Sequence, residues 1–71
     1  MAPLPHTASV DPDRFTVREM IAEVQREIRM RRRVYERRVR SGEMTRVEAD
    51  RYIDLMTAVE RRLTKTALVE V

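Results

Sequence analysis

Between Arg26 and Arg40 the chain carries eight arginines against two glutamates, so the rest of a chain whose total charge is +3 is left three charges negative. Guanidinium groups hold phosphates and carboxylates through paired N–H donors. At helical spacing Arg26, Arg29, Arg33, Arg37 and Arg40 share one outward stripe, a ladder suited to several phosphates of a nucleic acid. The same stripe is also what an ordinary solvated helix face looks like. Arginine favours helix, and cations are stabilising near a helix C-terminus. No turn-linked recognition helix accompanies the ladder, so direct readout of base sequence is not expected. Nor is catalysis. Ser9 and Ser41 have no neighbouring histidine or cysteine, no glycine-rich phosphate loop occurs, and Glu19, Glu23 and Glu27 form a solvated row at four-residue steps beside arginines. The lone histidine, His6, stands in a proline-containing stretch, so no catalytic residue, metal site or cofactor is expected.

Seventy-one residues form one domain at most, and a chain this short needs tight helix packing, a metal, disulfides or a partner to bury enough surface. There are no cysteines, which removes disulfides and is compatible with a reducing compartment. No run of about 18 apolar residues offers a membrane helix, and the N-terminus lacks the pattern of a signal peptide. The expected location is the cytoplasm of a host cell.

The elements that must position the arginines are set by Val39 to Ala49. Gly42, the only glycine, follows a long helical pattern at the point where a helix C-terminus wants φ > 0. Three residues on, Thr45 and Glu48 can form a capping box for a second helix, with Met44 and Ala49 as its hydrophobic staple. The first helix has two candidate starts: Asp11 followed by Pro12, and a Thr16 to Glu19 capping box with a Phe15 to Met20 staple. The expected layout is a flexible tail over 1–12 and a helical hairpin over 13–71, with helices at about 13–40 and 45–67 joined by a turn at 41–44.

Val17, Met20, Ile21, Val24, Ile28, Tyr35 and Val39 make one apolar stripe on the first helix, about 37 Å long at 1.5 Å per residue. On the second, Ala49, Tyr52, Met56, Val59 and Leu63 face one way, flanked by Ile53 and Leu55. An antiparallel hairpin turning about Gly42 and Glu43 sets Tyr35 near Tyr52, Ile28 near Val59 and Val24 near Leu63. Arg31 and Arg38 lie beside this seam and need partners. Asp54 and Glu48 stand at the opposing levels, with a second protomer as the other source. A two-helix seam cannot cover Met30, Val34, Ile53 and Leu55, and the economical cover is a second hairpin, giving a homodimeric antiparallel four-helix bundle with those four residues in its interface. The fold class is therefore all-α.

The run Arg32-Arg33-Val34-Tyr35, then Arg38-Val39, Gly42, Met44-Thr45, Glu48-Ala49, Ile53, Met56, Ala58-Val59 and Leu63, resembles short helical proteins encoded by bacteriophages and prophages of proteobacteria. It covers about half of the chain. Those proteins often carry a proline after the tyrosine, where Glu36 stands here, so any kink they have should be absent. The resemblance extends distantly to the quorum-sensing anti-activator of Pseudomonas phages. It implies a non-enzymatic inhibitor or adaptor of host takeover that binds a host or phage protein. The contact residues expected are Met30, Arg31, Val34, Tyr35 and Arg38, since tyrosine, arginine and methionine are common at binding hot spots. The alternative is a dimeric RNA or DNA binder in the manner of the plasmid copy-number protein Rop, using the arginine ladder. A structural part of a phage assembly is a third reading.

Overall fold

The computed structural model describes residues 11–69. The tail expected over 1–12 therefore lies almost wholly outside the described residues. A single 3-10 turn, Pro12–Arg14, opens the described chain, with the Asp11 carboxylate accepting from the Asp13 N–H at 2.9 Å. Two long helices follow, α1 (Val17–Arg40) and α2 (Arg46–Val69), 24 residues each.

Helix α1 begins at Val17, not near residue 13, and the reason is local. Thr16 Oγ1 accepts from the Glu19 N–H at 3.1 Å, and Glu19 returns a carboxylate oxygen to the Thr16 N–H at 2.7 Å. That box fixes Thr16 in an extended conformation, and Phe15 is extended as well, so the 3-10 turn stays separate from α1. Of the two candidate starts, the reciprocal one begins the helix.

The end of α1 is a Schellman motif. The Gly42 N–H donates to the Val39 carbonyl at 3.2 Å and the Glu43 N–H to the Arg38 carbonyl at 2.9 Å, with Gly42 at φ 81. These bonds satisfy carbonyls that the helix leaves without partners. Within three residues the second box forms: the Glu48 N–H donates to Thr45 Oγ1 at 3.1 Å, and Glu48 accepts from the Thr45 N–H at 3.0 Å.

The two helices pack antiparallel along a narrow seam. Their less exposed positions recur in alternating steps of four and three: Val17, Ile21, Val24, Ile28, Arg31 and Tyr35 on α1, and Ala49, Ile53, Met56, Glu60, Leu63 and Ala67 on α2. This is the spacing of a coiled-coil contact. Tyr35 and Tyr52 stand at one level as expected, their ring centroids 6.1 Å apart. Helix α2 is nevertheless rotated from the expected seam. Ile53 and Glu60 turn inward, while Tyr52 and Val59 remain 40% and 44% exposed. Hydrogen bonds from Gln25 to Glu60 (2.7 Å) and from Arg46 to Glu36 (2.7 Å) tie the helices on one side and hold that rotation. Among the described residues only Val17, Ile28 and Ala49 are buried, none of them completely. No described helix is long and apolar enough to cross a membrane.

Candidate interaction site

The seam divides the hairpin surface into two broad faces of unlike character. At 100° per residue, Gln25, Arg32 and Glu36 of α1 lie beside Arg46, Asp50 and Glu60 of α2 on one of them. That face is polar and tied across by the Gln25–Glu60 and Glu36–Arg46 bonds. The Arg46 guanidinium holds the Glu36 carboxyl below its ordinary value, chiefly through the hydrogen bond between them. These two cross-helix pairs are absent from the sequence reading. Gln25 and Glu60 stand at matching levels about the turn, so that pair had a signal in the sequence, whereas Glu36 and Arg46 are offset along the axis and are joined by the reach of their long side chains.

The opposite face is apolar in its middle. Met30 and Val34 of α1 stand there with Tyr52, Leu55 and Val59 of α2, and Leu55 is 50% exposed. Glu27, Met30, Arg31, Val34, Tyr35, Arg38 and Tyr52 line one shallow depression on this face, so all five expected contact residues come together. Toward the open end of the hairpin, Phe15, Glu19, Met20 and Glu23 line a second depression, with the Arg14 guanidinium 4.4 Å from the centre of the Phe15 ring.

Arg31 and Arg38 are not paired as expected. Arg31 donates to Glu27, one turn back on its own helix, at 2.7 Å, and that bond raises the guanidinium pKa. Asp54 cannot reach it, because Asp54 lines the other face. Glu48, the partner expected for Arg38, has its carboxylate on Thr45, which lowers its pKa through the backbone N–H first and the hydroxyl second. Among the described residues Arg38 has no carboxylate within 4 Å.

The four residues expected in a dimer interface also separate. Met30, Val34 and Leu55 share the apolar face, whereas Ile53 is half-buried and lines the polar side with Ala49 and Asp50. Residues two apart on a helix differ by 200°, so Ile53 and Leu55 cannot serve one flat contact.

The arginine ladder is outward and exposed along its length: Arg26, Arg29, Arg33, Arg37 and Arg40. Arg26 is paired with Glu23, whose carboxyl it lowers by their hydrogen bond, and the other four have no carboxylate within 4 Å among the described residues. The row runs about 21 Å at 1.5 Å per residue, enough to span several phosphates.

The single Ser41 hydroxyl proton has the Glu43 carboxylate (2.7 Å) and the Arg38 carbonyl (3.1 Å) as its acceptors, so the hydroxyl serves the helix end. His6 and Ser9 lie outside the described residues. No cluster of acidic, histidine or cysteine side chains among the described residues could hold a metal ion. Compared with known proteins, the chain matches no family model, no curated protein and no solved structure.

Proposed function

We propose that the chain is a non-enzymatic protein-interaction module, an inhibitor or adaptor of the kind its resemblance to phage-encoded proteins implies, working through the face centred on Met30, Val34, Tyr52, Leu55 and Val59. One observation carries this reading. Met30, Val34 and Tyr52 line one depression with Arg31 and Arg38, and at 100° per residue the exposed Leu55 and Val59 fall on the same side of α2, while two hydrogen bonds tie the opposite face across the seam. Exposed apolar patches rimmed by polar groups mark interaction surfaces, and aromatic, arginine and methionine side chains contribute most to them. The partner is a protein, either a host or phage protein or a second copy of the chain.

A second reading rests on the ladder. Arg29, Arg33, Arg37 and Arg40, exposed and without carboxylate partners among the described residues, favour an RNA or DNA backbone as ligand. The two readings separate in a pull-down from host lysate at low and moderate salt, with and without nuclease. The baits are wild type, Leu55→Asp, and a variant with Arg26, Arg29, Arg33 and Arg37 all changed to glutamine. A protein retained after nuclease, kept by the glutamine variant and lost by Leu55→Asp, supports the protein-interaction reading. Capture that nuclease or the glutamine changes abolish supports the nucleic-acid reading and sinks the first.

A further inference from the structure

The apolar face is complementary to itself. Each of its two edges belongs to one helix, and the contacts of Tyr35 with Tyr52 and Gln25 with Glu60 fix which residues stand level across it. By those levels Glu23 on the α1 edge is opposite Arg62 on the α2 edge, Met30 is opposite Leu55, Val34 is close to Tyr52, and Arg38 is opposite Glu48. At these four levels the two edges carry either opposite charges or two apolar side chains, and only between the first two does a charge, Glu27, stand opposite an apolar side chain, Val59. An operation that exchanges the edges therefore sets these four pairs on their complements.

We infer that the occupant of this face is a second copy of the chain, related by a two-fold axis parallel to the helices, so that α1 of each hairpin lies over α2 of the other with both turns at one end. The inference rests on the protein-interaction reading and names the partner of the same face. Three further observations favour a second copy over an unrelated protein. The helices have the same length, 24 residues, so the stacked hairpins end together. A described chain with only three buried side chains gains from stacking what it lacks alone. Arg38, without a carboxylate within 4 Å in its own chain among the described residues, would meet Glu48 of the second copy at Oε2, the oxygen that the capping bonds to Thr45 do not use.

Charge also selects this two-fold over the other that gives an antiparallel bundle. An axis across the helices lays α1 on α1, so that residues 26–35 of the two copies, with five arginines and one glutamate on each, face one another. Like-charge juxtaposition across a contact is strongly unfavourable. With α1 over α2, each basic run faces a helix in which five basic residues are nearly balanced by four acidic ones. The arginine ladder then stays on the outside of the assembly.

Sedimentation equilibrium of the full chain tests this, with circular dichroism to confirm that each variant is helical. Wild type is expected to be a dimer. Glu23→Arg alone and Arg62→Glu alone are each expected to weaken self-association about tenfold or more. Mixed in equal amounts, these two variants are expected to regain wild-type affinity as heterodimers, because each reversed charge then faces its opposite on the other chain. With the axis across the helices, Glu23 would face Arg38, the mixed dimer would keep one like-charge pair and wild-type affinity would not return, which overturns the proposed arrangement. A wild-type monomer at all concentrations overturns the inference outright. In that event the lysate experiment decides the rest: a captured protein lost by Leu55→Asp leaves the protein-interaction reading standing, and capture indifferent to Leu55→Asp removes both.

Discussion

The rings of Tyr35 and Tyr52 meet across the helix pair with centroids 6.1 Å apart and planes tilted by 56°, joining the seam to the apolar face. Tilted aromatic pairs at this distance contribute beyond the area they bury. A double-mutant cycle of Tyr35→Leu and Tyr52→Leu, read from urea unfolding, is expected to give a coupling of about 0.5–1.5 kcal/mol. Additive single changes would mean that the rings are neighbours without interacting.

Ala49 is the least exposed of the buried residues, at 2%. A leucine there must displace the facing helix or leave its rotamer well, and such overpacking typically costs about 1–3 kcal/mol. The expected outcome for Ala49→Leu is a lower melting temperature, with Val47→Leu, at a site 78% exposed, as a nearly neutral control. Equal melting of the two variants would contradict a close-packed seam at this level.

Gly42 has nothing within 4 Å of where a Cβ would stand, yet its φ is +81. The cost of Gly42→Ala is therefore backbone strain without steric clash, about 1–2 kcal/mol. Gly42→Asn should lose less, since asparagine tolerates this region better. Urea midpoints in the order glycine, asparagine, alanine are expected, and an unchanged alanine midpoint would rule out the strained turn.

Acid should loosen the hairpin through named carboxylates. Glu48 is held below its ordinary value of 4.5 by the Thr45 backbone N–H and hydroxyl, Glu36 by Arg46, and Glu23 by Arg26. A carboxyl whose folded pKa is depressed stabilises fully above its unfolded pKa, and that contribution is lost as pH falls through the folded one. The melting temperature is expected to hold from neutral pH to about pH 5 and to decline below the ordinary carboxylate range. Glu48→Gln should lower the neutral value and flatten the decline, and a decline as steep as wild type would remove Glu48 from the account.

The parts of the fold that were legible in the sequence are those fixed within a few residues. Thr16 with Glu19, Thr45 with Glu48, and Gly42 each state a local geometry, and the turn sets the level of Tyr35 against Tyr52. The rotation of α2 was not legible, because apolar residues line a broad arc from Tyr52 and Ile53 to Val59 and Leu63, and more than one rotation buries a comparable set. The choice falls on polar groups, Gln25 reaching Glu60 and Arg46 reaching Glu36. The same rotation parts Ile53 from Leu55. Five of the contact residues expected from composition do share one depression, whereas the ion-pair partners of Arg31 and Arg38 depended on which carboxylates were already engaged elsewhere.

The hydrogen-bonded turn at Gly42 has a kinetic consequence. The named cross-helix contacts are nested about it: Glu36 with Arg46 closes the shortest loop, Tyr35 with Tyr52 the next, and Gln25 with Glu60 the longest. Closure cost grows only with the logarithm of loop length, and each inner contact shortens the loop left for the one outside it. The hairpin can therefore zip outward from the turn without a long-range search. Such a low contact order belongs to chains that fold in microseconds to milliseconds. In a two-step assembly, the slow and concentration-dependent step would be the meeting of two hairpins already formed.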